Sequence, residues 1–428
     1  MAQPWIDLRL QGVHESAVVG GTVKRPDPSP VPDGSILAVN GGSSSLKFAL
    51  FRVGHPPVRL VSGMIDRIGC PEGFLTLTDV IKGTTERRMI QVPHHEDCLE
   101  QLSAWLEEKT KMADLLAVGH RVVHGGSRYS QPQWVTPEVM AELRRLCPYD
   151  PEHLPAEIRL IKAVSQRYPN LPQAACFDTA FHREMPRVAR LLPIPRRYDS
   201  AGVQRFGFHG LSYAYLLNEL RRIGTPHEAD GCLIFAHLGN GASLAAVREG
   251  KSIDTSMSFT PTSGLPMSTR SGDLDPGLVS YLARTEGMTV EQFHEMVNAQ
   301  SGLLGVSETS SDMRDLLARE NNDPRVAEAV ALFCYQTKKW IGAFAAALGG
   351  LDTLVFSGGI GEHSPVVRAR ISDGLGFLGV ALDDARNTAS EPVVSKENSR
   401  VTVRVIHTDE ESQIANSLLQ LLTADGTH

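Results

Sequence analysis

Two stretches of the chain repeat one design. LAVNGGSSSLKFALF (residues 37 to 51) and FAHLGNGASLAAVRE (235 to 249) each run apolar residues into a Gly-rich turn, then Ser-Leu, then apolar residues again. Gly tolerates backbone angles that a β-branched residue does not, so each stretch reads as two short strands joined by a tight turn. From 37 to 235 the offset is 198 residues, about half of the chain beyond residue 34. Matched hairpins at that distance are what two duplicated α/β halves predict, each aiming one hairpin into a shared cleft. A bland turn needs only one Asn-Gly and some polarity, yet the first turn carries Ser43, Ser44, Ser45 and Lys47. Backbone N–H groups, hydroxyls and an ammonium are also the inventory of a phosphate cradle. The turn alone fits both readings.

DTLVFSGGIGEHS (352 to 364) is a third apolar strand entering a Gly turn. It is neither a Walker loop nor a G-x-G-x-x-G fingerprint followed by a ribose-binding acid. Three such turns in one chain point to a nucleotide more firmly than one does.

A chain of 428 residues exceeds what one hydrophobic core organises, so two domains are expected. The formal charge of -7 argues against a general nucleic-acid binder, and no run reaches the roughly 18 apolar residues of a membrane span. Six cysteines, at 70, 98, 147, 176, 232 and 334, lack C-x-x-C spacing and read as free thiols of a reducing cytoplasm. MAQPWIDLRLQGVHESAVVGG lacks the features of a secretory signal, and RPDPSPVPDG (25 to 34) reads as an extended linker. Residues 1–34 are therefore taken as an N-terminal extension, partly disordered, with the machinery beginning at Ser35. Helices are expected over 98 to 112, 137 to 146, 327 to 348 and 410 to 422, the third apolar on more than one face and so buried between layers.

Polar clusters fall in the loops between these elements. Arg121 follows an apolar run and precedes Gly-Gly, and Arg270 stands in a second loop dense with Ser, Thr and Gly. Each alone reads as a surface ion pair; together they make a two-arginine clamp on an oxyanion. Asp178 and Glu410 are the acids chosen to hold a metal, against the blander roles of helix N-cap and first-turn dipole partner. Mg²⁺ takes one or two carboxylates plus waters and phosphate oxygens, so a sparse set of acids suits an ATP site. Of the histidines at 120, 124, 153, 182, 209 and 237, most read as structural donors, and His94 and His95 as solvent-facing. His209, between Phe208 and Gly210, is the candidate for touching a transferring group. No histidine or cysteine spacing suggests zinc.

These segments resemble the acetate kinase family, within the actin, sugar-kinase and heat-shock-chaperone ATPase superfamily. The resemblance runs over roughly residues 35 to 420 and rests on NGGSSSLKF, DTSMSFTPTSGLPMSTRSGD, GHRVVHGG, FDTAFH, GFHG, HLGNGASL and SGGIGE. It implies two ribonuclease H-like domains of the actin-like ATPase fold around a central cleft. One would span 35–185 plus 409–428, the last helix packing back, and the other 186–408 with the nucleotide site. It implies ATP and ADP as co-substrates, Mg²⁺ with Mn²⁺ able to substitute, small carboxylate substrates, and a cytoplasmic homodimer joined through the second half, with no nucleic acid or membrane partner. Asn40, Ser43, Ser45 and Lys47 would form the first phosphate hairpin. Arg121 and Arg270 would grip the acid and the transferring phosphoryl, to which His209 would donate. Asp178 and Glu410 would organise the metal, with Asn40 among its ligands. Val123, Phe208 and Pro261 would make the acyl pocket. His237, Gly239, Asn240 and Gly241 would line the second hairpin, and Asp312, Arg314, Gly359 and Ile360 would surround the nucleoside. His153 and His182 fall near the site.

A carboxylate is already a nucleophile, so such a reaction needs no general base. It needs two anions brought together in line and their charge neutralised, which favours direct transfer. The chain departs from the family pattern at Glu152, where an apolar pocket residue is usual, at Ser258 and Ser268 for glycine, at His363 for asparagine and at Tyr213 for histidine. A propionate kinase differs only in pocket details, and an actin- or chaperone-like ATPase would need an added polymerisation or peptide-binding region. MPRVARLLPIPRRYDS (185 to 200), interrupted by three prolines, is the expected hinge.

Overall fold

The computed structural model describes residues 33–42, 45–70, 72–94, 97–109 and 114–425. Most of the N-terminal extension, Ser43 and His95 thus lie outside the described residues.

The two repeats are hairpins, as their pattern predicts. β1 (Ser35–Gly41) pairs antiparallel with β2 (Ser45–Arg52), and Gly42 N donates to Ser45 O across the turn at 2.7 Å. Beyond β2 lie β3 (Val58–Asp66), β4 (Gly73–Asp79) and β5 (Thr84–Ile90). On the other side of β1 lie the parallel strands β6 (Leu115–Val122) and β8 (Gln173–Phe177), with the short β7 (Gln133–Trp134) at the edge. The order is β5-β4-β3-β2-β1-β6-β8-β7. In the second half β9 (Leu233–Leu238), β10 (Ala242–Arg248), β11 (Lys251–Thr255), β12 (Thr353–Ser357) and β13 (Thr402–Val405) form a sheet of order β11-β10-β9-β12-β13. β3-β2-β1-β6-β8 and β11-β10-β9-β12-β13 are the same arrangement, in which an antiparallel triplet continues into two parallel strands. This is the duplication that the repeated hairpin foretells.

Side-chain alternation splits each sheet into two buried faces. Leu37 and Val39 pack with Leu102 and Trp105 of the helix Asp97–Lys109 and with Leu160 and Val164 of the helix Leu154–Arg167. Ile36 and Ala38 face the other way, onto Ile414, Ala415 and Leu418 of the helix Glu410–Asp425. That helix lies so close that a Cβ on Gly119 of β6 would stand 2.5 Å from Ile414. In the second sheet Ala236 and Leu238 pack in one cluster with the helix Pro324–Leu348, while Leu233 and Phe235 pack with Leu216 and Leu220 of the helix Gly210–Ile223.

The helix expected over 137 to 146 is Pro137–Leu146, started by Thr136 whose hydroxyl accepts from Val139 N. The other expectations shift at their ends. The stretch 98 to 112 folds as Asp97–Lys109, with 110–113 outside the described residues, and 410 to 422 extends to Asp425. The stretch 327 to 348 starts earlier, at Pro324, because Asp323 caps it and proline suits the first turn. Nor is that helix buried all round: Phe333, Ile341 and Phe344 are buried, while Tyr335 is 61% exposed. None of the six cysteines forms a disulfide.

Candidate active site

Parallel strands deliver their C-terminal ends to one edge of a sheet, and in both sheets that edge faces the space between the halves. Arg121 is the last residue but one of β6, and Asp178 follows β8 directly. Asp178 is fully buried, and its Oδ2 accepts from Arg121 Nε at 2.9 Å and Nη2 at 2.6 Å, while Oδ1 meets no hydrogen-bond partner among the described residues. Arg121 Nη1 donates to Gly41 O at 2.9 Å, tying the clamp to the first hairpin. Arg121 is therefore in a buried ion pair rather than a surface one, and Asp178 is its partner rather than a helix cap.

Arg270 comes from the second half. Its Nη1 reaches Pro261 O at 3.4 Å, and among the described residues no carboxylate lies within ion-pair distance of it. Burial lowers its pKa; Glu152 and Asp150 nearby oppose that, and Arg121 adds to it. Two guanidinium groups from opposite halves that repel each other mark where an anion is wanted.

His209 and His237 lie beside them, their rings tilted by 35° with centroids 4.4 Å apart. His209 Nδ1 meets Ser243 Oγ at 2.9 Å, and His237 Nδ1 meets Ser212 Oγ at 2.9 Å. Burial keeps both imidazoles below their ordinary pKa: His209 far below, with His237 and the two arginines adding to the effect, and His237 below it although Glu410 and Glu362 oppose the shift. Their Nε2 edges face the second turn, since Cβ atoms on Gly241 and Gly239 would stand 3.1 Å and 3.8 Å from Nε2 of His209 and His237 respectively. His182, expected near the site, is held on both nitrogens, by Ser252 Oγ at 2.8 Å and Phe208 O at 3.1 Å. It anchors the backbone that carries Phe208 and His209. His153 is likewise tied, Nδ1 to Asp150 Oδ1 at 2.8 Å.

Asn40 Nδ2 donates to Glu410 at 2.8 Å and to Glu411 at 2.9 Å. Asn40 thus holds the acids with its amide nitrogen, and Glu411, which sequence reasoning missed, stands beside Glu410. Burial and Glu410 together raise its pKa. Among the described residues no group of three His, Cys, Asp or Glu side chains converges as a metal site. Oxygen donors alone, with a buried unpartnered Asp178 Oδ1, fit a hard cation that keeps waters and phosphate oxygens as ligands.

A cleft of about 780 Å³ runs between the halves. Asn40 and Lys47 line it on one side, and His237, Gly239, Asn240, Asp312, Arg314, Gly359, Ile360, Glu410 and Glu411 line the rest. Ser45 sits at the tip of the first hairpin. Ser268 Oγ donates to Asn240 Oδ1 at 3.4 Å. Asp312 accepts from Arg314 Nε at 3.0 Å, and Arg314 projects 89% exposed over the cleft. The third Gly turn needs its glycine: Gly358 has φ 75°, and a Cβ there would stand 2.7 Å from Leu238 O. Glu362, also missed from sequence, accepts from Gly358 N at 2.8 Å, Thr408 N at 3.1 Å and His407 Nδ1 at 2.6 Å. It fastens that turn to the segment leading into Glu410.

Val123 and Phe208 are buried in one apolar cluster, and Pro261 is part-buried beside Arg270. Glu152 lines a small cavity with Arg121 and His153, and its Oε1 lies 3.1 Å from His294 Nε2. Behind Arg121 the carboxylate of Glu157 accepts from Val123 N at 3.0 Å and stands 3.7 Å from Arg121 Nη1. Burial pushes Glu157 up to about 8.

A model of the acetokinase family matches residues 35–416. Among curated relatives, the acetate kinase of Methylocella silvestris is 42% identical over 398 residues, covering 90% of this chain and 98% of its own. That of Bacillus cereus is 40% identical over 394 residues, with 90% and 98% covered. The crystal structure of Porphyromonas gingivalis acetate kinase superposes with a TM-score of 0.81 at 36% identity, over 91% of this chain and 100% of that one. A propionate kinase from Francisella tularensis superposes with 0.84 at 35% identity, over 90% and 98%. The duplicated actin-like ATPase fold is therefore the fold of this chain.

Proposed function

The chain belongs to the acetokinase family, and on that premise we propose that it transfers a phosphoryl group reversibly between ATP and acetate, giving acetyl phosphate and ADP. The observation that carries this reading is the meeting of Arg121 and Arg270, from opposite halves, beside two neutral imidazoles and two Gly-rich hairpins.

In this reading the carboxylate of acetate binds between the arginines with its methyl group against Val123, Phe208 and Pro261. An acetate oxygen attacks the γ-phosphorus directly, and no enzyme group is phosphorylated. Arg121, Arg270 and the N–H of His209 offset charge on the equatorial oxygens, in a site largely closed to water. Lys47, Ser43, Ser45 and the turn at Gly239, Asn240 and Gly241, with His237, take the other phosphates. Asp312, Arg314, Gly359 and Ile360 take the nucleoside. Mg²⁺ would be held by Glu410 and Asp178, positioned by Asn40, and would supply positive charge between the phosphates.

Two domains, 35–185 plus 409–428 and 186–408, would close on the substrates about 185–200, where Pro186 and Pro195 each precede a short helix. Exposed Tyr281 and Tyr335 in the second half support a homodimer through it, and the thiols support a cytoplasmic location. The propionate kinase reading has the Francisella neighbour in its favour.

ATP-dependent hydroxamate formation with acetate, propionate and glycolate tests the activity. Acetate is expected to be the best acceptor, and absence of product with all three overturns the proposal. Sedimentation tests the dimer, and scattering with and without ATP, Mg²⁺ and acetate tests closure.

A further inference from the structure

We propose that Tyr213 and Ser243 are positioning residues that keep the proton of His209 on Nε2, the nitrogen facing the second Gly-rich turn. What that proton does rests on the function proposed above; where it sits does not.

Tyr213 lies in the first turn of the helix Gly210–Ile223 and is fully buried, its ring 5.8 Å from Phe181 and 5.8 Å from Phe235. Its hydroxyl has one hydrogen-bond partner among the described residues, Ser243 Oγ. A phenolic proton left unmet in a protein interior is costly, so the Tyr213 hydroxyl donates to Ser243. Ser243, on β10, is itself fully buried and has a single proton. Having accepted from Tyr213, it donates that proton to its other neighbour, His209 Nδ1, at 2.9 Å. Nδ1 is then the nitrogen with the lone pair.

The ring is neutral, because burial, the adjacent His237 and the two arginines all disfavour its charge. A neutral imidazole that accepts at Nδ1 carries its hydrogen on Nε2. The opposite direction, with His209 donating to Ser243 and Ser243 to Tyr213, would leave the Tyr213 proton without an acceptor. It would also aim a lone pair at the turn that binds anions.

His209 is fixed from the backbone side as well. It adopts φ 58° at the start of the helix, and the carbonyl just before it is held by His182. The backbone aims the ring and the hydroxyl chain selects its tautomer. The product is a donor without added positive charge, placed where Arg121 and Arg270 already repel each other.

Nitrogen NMR of the full chain labelled with ¹⁵N-histidine, without substrates, separates the two tautomers, and His209→Gln identifies the signal. The native protein is expected to show His209 protonated at Nε2. Tyr213→Phe keeps the ring packing, and it should raise the share of the Nδ1–H form and lower kcat about tenfold, with KM for both substrates changing less than about twofold. Ser243→Ala should do the same, and adding Tyr213→Phe to it should change nothing further. A native His209 protonated at Nδ1, or an unchanged tautomer in Tyr213→Phe, overturns the proposal whatever the rate does. The tautomer is read without turnover, so failure of the hydroxamate assay would leave it standing.

Discussion

Arg121 makes both of its bonds to Asp178 through the same oxygen, Nε at 2.9 Å and Nη2 at 2.6 Å, and leaves the other oxygen of a fully buried carboxylate without a partner among the described residues. Arg270, across the cleft, has no acid within ion-pair distance among the described residues. The two arginines should therefore fail differently. Arg270→Ala is expected to lower kcat by about 10² to 10³ while the protein unfolds near its native temperature. Arg121→Ala should lose as much activity and also about 3 kcal/mol of stability, because Asp178 is left buried and unpaired. Calorimetry with steady-state rates decides, and near-normal turnover in both variants would remove them from the site.

Glu152 Oε1 lies 3.1 Å from His294 Nε2, and its side chain is 38% exposed, so water can solvate its charge. Glu152→Leu should change kcat/KM for acetate less than about threefold and create or abolish no preference for glycolate. A native preference for glycolate that disappears in Glu152→Leu would show that the carboxylate reads the acid.

Glu157 gives stability a pH dependence. Its folded pKa of about 8 lies above the ordinary carboxyl value, because burial opposes its charge. The folded state thus holds a proton that the unfolded state has released, and stability present below the unfolded pKa is lost as pH rises through the folded one. Between about pH 5 and pH 8 the native protein should lose roughly 3–4 kcal/mol relative to Glu157→Gln. Urea unfolding across that range checks it, and parallel curves for the two proteins would contradict the assignment.

Arg368 is fully buried and, among the described residues, pairs with no carboxylate. It donates to the carbonyls of Gly361 and Glu362 at 2.9 Å each and to Asn387 at 2.8 Å and 2.7 Å, and burial lowers its pKa to about 10. It holds the end of the short helix that begins with the third Gly turn. Arg368→Met should cost about 3 kcal/mol and raise KM for ATP, with Arg368→Lys in between. A stability within about 0.5 kcal/mol of native would mean the carbonyls find other donors.

The hairpins, the Gly turns and the clamp residues are legible in the sequence because local pattern specifies them: apolar alternation broken by glycine, and polar residues gathered in loops. β3 to β5 carry weaker signals, and in β5 six of seven residues are exposed, so no apolar stripe marks it as a strand. Glu157, Glu411 and Arg368 are illegible for another reason. In sequence each is a charged residue on a helix, and Glu157 in a first turn looks like an ordinary dipole partner. Their burial is a property of what packs over them. Tyr213 and Ser243 look like core and strand residues until the helix and β10 bring their hydroxyls together.

The helix Glu410–Asp425 covers one face of a sheet whose first strand begins at Ser35, and Asn40 bonds to Glu410 across 370 residues of sequence. During synthesis that face, with Ile36, Ala38, Ala49 and Phe51, leaves the ribosome long before its cover exists. Nascent chains that have passed β8 but not reached residue 410 carry an open apolar surface for as long as the whole second half takes to be made, at about 5–20 residues per second. Prematurely terminated chains would be the species that chaperones meet, and a ribosome stall in the second half would harm the first.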